Sequence, residues 1–147
     1  MTRKSQTALL DVNVLIALAW PNHVAHDESR RWFTEQAALG WATTPVTETG
    51  FVRVSSNRRA LPTATTPKLA QQLLAALRLQ PGHQFWADDV PLVTGDHLDL
   101  GLVTGHRQIT DAHLLALCAT HGGRLVTFDR GLVMLAADQV TVELLTA

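Results

Sequence analysis

Short apolar runs alternate along this chain with longer stretches whose apolar positions recur at helical spacing. That alternation predicts an α/β domain, a three-layer α/β/α sandwich around a mostly parallel sheet. The first strand is expected over 7–10, followed by a helix through NVLIALAW that Pro21 stops. A second helix, about 23–39, places Trp32, Phe33 and Gln36 at helical spacing and ends at Gly40. After the short strand GWAT, Thr44 is an N-cap and Pro45 opens a third helix that runs to about Ser56. The Ser-, Asn-, Thr- and Pro-rich segment SSNRRALPTATTP reads as a loop. A fourth helix spans 67–79 and is ended by Pro81 and Gly82, and QFWADDVPL supplies another strand. A short helix and connections fill 93–108. Thr110 then caps the helix DAHLLALCATH, which Gly122 and Gly123 end. The buried strand RLVTF, a short helix after Asp129 and a final strand VTVELLT complete the sheet.

Four acids stand in the flanks of these apolar elements: Asp11 after ALL, Glu48 after TPVT, Asp111 after QIT and Asp129 after RLVTF. Asp11 and Asp129 fall at the carboxyl edge of the sheet, where ligands of open α/β folds bind. Each also precedes a helix, where aspartate is a favoured cap, so both readings remain open for these two. Asp111 is harder to assign to capping. Three, four and seven residues on lie Leu114, Leu115 and Cys118, so the acid sits at the end of the buried stripe. A favourable helix dipole explains an acid in a first turn but not an inward direction. Glu48 likewise shares its face with Phe51 and Val52. Gathered at one edge, such carboxylates repel: two charges at ~4 Å in an effective dielectric of ~20 cost about 4 kcal/mol. A hard divalent cation reverses that sign. Asn13, Thr47 and Thr127 lie close in sequence and are candidates to bind metal-bound water.

The remaining acids and the histidines add less. Asp88 and Asp89 are consecutive, so on a strand at most one could face a shared site, and a solvated loop suits them as well. Asp96 and Asp99 carry no assignment. His23 and His26, three apart, could share a helix face as zinc ligands do, but no third partner is evident. His113 and His121 flank an apolar helix as surface or packed residues. The absence of GxSxG, Walker and GxGxxG motifs removes the commoner hydrolase, nucleotide-binding and dehydrogenase readings.

At 147 residues the chain is expected to be one domain over 1–147. With 46% hydrophobic and 17% charged residues it is unlike a disordered chain. The single cysteine, Cys118, excludes an intrachain disulfide and fits a reducing cytosol. No stretch is long and apolar enough for a membrane span, since Val12–Trp20 is short and interrupted by Asn13. A net charge of −1 does not announce a nucleic-acid partner, yet it becomes +3 once the four candidate ligands are set aside. Arg53, Arg58 and Arg59 are the densest basic group after the N-terminus, either a solvated helix end or a phosphate-facing edge.

The stretches LLDVNVLIAL, TPVTETGFVRV, FWADD and GHRQITDAHLLALCATHGGRLVTFDRGL resemble the PIN-domain ribonucleases, and more narrowly the VapC toxins of bacterial VapBC toxin–antitoxin systems. The resemblance covers essentially the whole chain in order. It implies an acidic quartet of Asp11, Glu48, Asp111 and Asp129, the positions reached from the residues alone, with Asn13 and Thr127 as accompanying polar groups. One or two Mg²⁺ or Mn²⁺ ions are implied there, with Asp11 and Asp111 as principal ligands and Glu48 and Asp129 holding metal or waters. Cleavage of structured RNA, tRNA or ribosomal RNA, leaving a 5′-phosphate, follows from the same resemblance, as do a cytoplasmic bacterial location, a homodimer and a cognate VapB antitoxin. Such an antitoxin would obstruct the site with an arginine, and Trp20, Trp32, Phe33 and Phe51 could line its groove or pack the core. Two rivals stand beside this reading. A HAD-type phosphatase needs a second Asp two residues after the first, where this chain has Asn13. A non-catalytic RNA- or partner-binding module on the same fold is disfavoured by retention of all four acids.

Overall fold

A computed structural model describes residues 6–62, 64–93, 100–137 and 139–146. Five strands, β1 (Ala8–Leu10), β2 (Trp41–Thr43), β3 (His83–Phe85), β4 (Arg124–Thr127) and β5 (Val142–Leu144), form one sheet in the order β3-β2-β1-β4-β5. Every pairing is parallel. Among the described residues six α-helices connect them: α1 (Val12–Ala19), α2 (His26–Gln36), α3 (Pro45–Ser55), α4 (Pro67–Arg78), α5 (Ile109–His121) and α6 (Arg130–Ala136). The expected mostly parallel three-layer sandwich is what forms.

The layers follow from strand alternation. Ala8, Leu10, Trp41 and Val126 face one side, where Leu15, Trp32, Phe51 and Leu74 of the first four helices close over them. Leu9, Ala42 and Leu125 face the other, under Leu114, Leu117 and Cys118 of α5 and Leu132 of α6. Burial pushes the Cys118 thiol up to about 12, so it is a packed hydrophobe and not a nucleophile. Trp32 and Phe51 belong to the core, at 5% and 0% exposure. Phe33 meets Trp41 edge to face, while the Trp20 indole donates to Ser55 Oγ.

Local signals placed most boundaries. Thr44, before Pro45, and Thr47, in the first turn, form a reciprocal capping box, and the helix ends at Ser55. Gly122 adopts the left-handed conformation, φ 64°, that closes α5. Three expectations change. The third strand is His83–Phe85, not QFWADDVPL, because the last bond to β2 is from the Trp86 N–H to the Thr43 carbonyl, and the side chains of Trp86 and Val90 turn into the second core. Thr110 does not cap α5: a 3₁₀ turn, His106–Gln108, runs straight into the helix, and the Gln108 side chain accepts from Thr104 instead. The second helix starts at His26, since residues 21–25 form turns. Within 93–108 the structure has 3₁₀ turns at Leu100–Leu102 and His106–Gln108. Asp96 and Asp99 lie outside the described residues.

Strand order also locates the crevice. From β1 the chain moves outward to β2 and β3, then returns to pair β4 on the other flank of β1. The direction of winding therefore reverses between β1 and β4, where neighbouring connections leave to opposite sides and open a gap at the carboxyl edge.

Candidate active site

Asp11 follows β1 and Asp129 follows β4, so the two flank the gap directly. The Asp11 backbone N–H donates to the Val126 carbonyl, which locks the start of α1 onto β4. Asp111 reaches the same hollow from the first turn of α5, and all three acids line it together with Asn13, His23 and Arg107. Capping and site roles coexist here. Asp11 Oδ1 accepts from the Val12 N–H at 2.7 Å, and Asp129 Oδ1 from the Gly131 N–H at 2.9 Å, so capping engages one oxygen of each carboxylate.

Thr127 ties the gap together. Its hydroxyl donates to Asp11 Oδ2 at 2.7 Å and accepts from the Asp129 N–H at 3.0 Å. Asn13 Nδ2 donates to the same hydroxyl, and Asn13 Oδ1 accepts from the Phe128 N–H. Thr127 and Asn13 therefore hold the ends of β1 and β4 in fixed relation. Thr47, by contrast, is fully buried in the capping box and does not reach the hollow. Replacing Thr127 with valine keeps the shape but leaves Asp11, only 8% exposed, without its hydroxyl donor. We expect a loss of about 1–3 kcal/mol in urea unfolding at neutral pH, the usual cost of an unsatisfied buried acceptor.

The electrostatics are those of an unpaired acidic cluster. Burial, then Asp11 and Asp129, push Asp111 up to about 6. Burial also raises Asp11, against the lowering effect of its bonds from Thr127 and Val12, with Asp129 raising it further. Neither carboxylate has a salt-bridge partner among the described residues. Oxygen-only donors with unrelieved repulsion suit a hard divalent cation. As the side chains stand, no three His, Cys, Asp or Glu groups among the described residues close around one point. Holding an ion requires rotation of exposed Asp129 or half-buried Asp111, or bridging water, all of which the open hollow permits.

Glu48 lies at the same sheet edge, one turn into α3 beyond β2, but its carboxylate takes different partners. Thr43 Oγ1 donates to Oε2 at 2.7 Å, and Arg78 Nη1 approaches the same oxygen at 3.2 Å. It lines a neighbouring groove between α3 and α4 with Val52, Arg53 and Leu74. Gly50 lets α3 approach α1 closely, since a β-carbon there would stand 2.6 Å from Val12 Cγ2. The remaining sequence candidates separate cleanly. Asp88 is not at the site; it accepts from the Val46 N–H and from His113 Nε2, clamping the start of α3 to α5. Its partners are distant in sequence, so no local pattern signals that role. His23 and His26 share no helix face: His23 sits in the turn and accepts from the Ala25 N–H, while His26 donates to the Ala17 carbonyl. Arg53, Arg58 and Arg59 are exposed at the end of α3 and in the turn after it.

Comparison with known proteins places the fold in a family. Residues 8–137 match the PIN domain family. Ribonuclease VapC39 of Mycobacterium tuberculosis is 59% identical over 126 residues, covering 86% of this chain and 91% of that protein. Ribonuclease VapC38 of the same species is 55% identical over 141 residues, covering 95% and 98%. In structure, VapBC2 from Rickettsia felis, crystallised on a DNA fragment from its promoter, aligns with TM-score 0.65 at 14% identity over 95% of this chain and 99% of that one. That last likeness speaks to the fold alone. The sequence matches go further: the chain belongs to the PIN-domain family and, within it, to the VapC ribonucleases, the endoribonuclease toxins of toxin–antitoxin systems.

Proposed function

We propose that this ribonuclease is metal-dependent and cleaves structured RNA, tRNA or ribosomal RNA, at the hollow between β1 and β4. The observation that carries the reading is the convergence of Asp11, Asp111 and Asp129 on one open hollow, with Asp111 pushed up to about 6 by burial and by its two acidic neighbours. Asp11 and Asp111 would be the principal ligands of Mg²⁺ or Mn²⁺, with Asp129 and Glu48 holding metal or water. A bound ion of this kind lowers the pKa of water and stabilises developing charge on phosphoryl oxygens. The protein's own residues supply the rest. Thr127 and Asn13 fix Asp11, and Arg107, exposed on the rim beside Asp111, is placed to meet a phosphate. Arg53, Arg58 and Arg59 extend that reach, and such contacts set register but not sequence choice.

A cognate VapB antitoxin and a homodimer belong to the same proposal. A guanidinium from the antitoxin entering the hollow would relieve the repulsion that raises Asp111. No described helix is long and apolar enough to cross a membrane. A non-catalytic RNA-binding module is the second reading, favoured because no three ligating side chains among the described residues stand close enough to hold one ion as they are placed.

The deciding experiment incubates the purified chain with total cellular RNA in Mg²⁺, in Mn²⁺ and in EDTA, and maps the fragment ends. Discrete fragments with 5′-phosphates in metal alone are expected. Metal binding without any cleavage of tRNA or ribosomal RNA supports the module instead, and cleavage undiminished by EDTA removes the metal from the mechanism.

A further inference from the structure

We propose that Thr43 and His83 are positioning residues that set the carboxylate of Glu48. The inference rests on the reading of Glu48 as a partner of Asp11, Asp111 and Asp129 in metal-dependent cleavage. The Thr43 hydroxyl has one proton, and it is donated to Glu48 Oε2 at 2.7 Å. The hydroxyl oxygen itself, Thr43 Oγ1, lies 2.8 Å from His83 Nε2. With its proton committed, the hydroxyl can only accept there, so the imidazole must carry hydrogen on Nε2. The relay therefore has one direction: His83 Nε2–H to Thr43 Oγ1–H to Glu48 Oε2.

Its parts are rigid. Thr43 is fully buried at the end of β2, a strand paired on both sides. His83 opens β3 opposite Trp41 in register, and its ring meets the Trp41 ring edge to face at 4.6 Å. Burial, then the Arg78 charge, lower the His83 pKa against the raising effect of Glu48, in keeping with a neutral ring that has one N–H to give. Arg78 approaches Glu48 from solvent with a side chain 41% exposed. An exposed ion pair restrains a rotamer weakly compared with a buried hydroxyl on a paired strand. Thr43 thus decides where Glu48 points, and His83 decides where the Thr43 proton points. Without the hydroxyl, Glu48 follows Arg78 outward toward α4.

The test compares Thr43→Val, Thr43→Ser and His83→Leu with the parent chain, reading Mn²⁺ affinity by calorimetry, kcat and KM on RNA, and thermal melting. Removing an outer-shell partner of a ligand typically costs about 10–100-fold in metal affinity or activity. Thr43→Val, similar in shape, is expected to lose affinity and kcat on that scale, with KM little changed, at a temperature where its melting curve shows it fully folded. Thr43→Ser, which keeps the donor, is expected to restore most of both, and His83→Leu to shift both in the direction of the valine variant. If Thr43→Val binds Mn²⁺ and cleaves as the parent does while Asp111→Asn is inactive, the relay is overturned and the acidic site stands. A serine variant as impaired as the valine one also overturns it, since packing and not the hydroxyl would then be responsible. A parent chain that neither binds Mn²⁺ nor cleaves RNA removes the underlying reading and this inference with it.

Discussion

Asp111→Asn is expected to abolish metal-dependent RNA cleavage while making the metal-free protein more stable. The loss follows from removing one of the three carboxylates that line the hollow. The gain follows from the direction of its pKa, raised from 3.8 to about 6 by burial first, and then by Asp11 and Asp129. The folded chain therefore keeps a proton between those values that the unfolded chain releases. Stability falls as pH rises through that window, and the penalty is complete above it. A shift of one unit corresponds to about 1.36 kcal/mol, but a half-buried group is screened by solvent, and about 1 kcal/mol is the magnitude to expect. Asparagine does not titrate. The variant should match the parent near about pH 4 and exceed it by about 1 kcal/mol at about pH 7.5, in urea melts with EDTA present. An active variant, or one less stable than the parent at both pH values, would show that Asp111 holds the fold together and is not a strained functional group. The same linkage predicts that Mn²⁺ affinity weakens below about pH 6, where the ion must displace a proton from Asp111.

Phe51→Ala should be the most damaging substitution on the Glu48-bearing helix. Phe51 is completely buried, packed in the core that α1 to α4 form over the sheet. Truncation removes transfer energy and leaves a cavity that the packed core around it fills only in part. Buried Phe→Ala changes cost about 3–5 kcal/mol. For a chain of this length that corresponds to a drop of about 10 °C in Tm or more. Activity should suffer beyond stability, because Phe51 lies three residues from Glu48 on the same helix face and anchors the segment that carries it. Melting curves and cleavage rates at a temperature where the variant remains folded separate the two effects. A loss under about 1 kcal/mol would mean that α3 is held by its capping box and Gly50 contact, and that Phe51 is not its anchor.

Much of the architecture could be read from local chemistry because local chemistry causes it. Thr44, Pro45 and Thr47 build a helix start with their own atoms, and Gly122 closes α5 by its own φ. Alternating apolar positions in ALL and RLVT separate the two cores, since neighbouring strand residues point to opposite faces. The flank positions of Asp11 and Asp129 were legible for the same reason: a residue that ends a parallel strand must stand at the carboxyl edge.

Other features depend on neighbours far apart in sequence. QFWADDVPL reads as one strand by composition, yet the strand ends at Phe85 and Trp86 and Val90 are buried in the second core with residues of α5. Asp88 gave no local sign that it would bridge Val46 and His113. Glu48 was placed on the right face by helical period, but its carboxylate is directed by Thr43 and Arg78, the latter 30 residues away. Side-chain periodicity places a residue on a face. It cannot say which polar groups cross that face from other elements, and a carboxylate's rotamer and proton affinity are set by those groups. The four acids and the parallel sheet were thus written into the chain. The gathering of Asp11, Asp111 and Asp129, and the separate tethering of Glu48, arose when the reversal of winding brought β1 beside β4 and left β2 on its other flank.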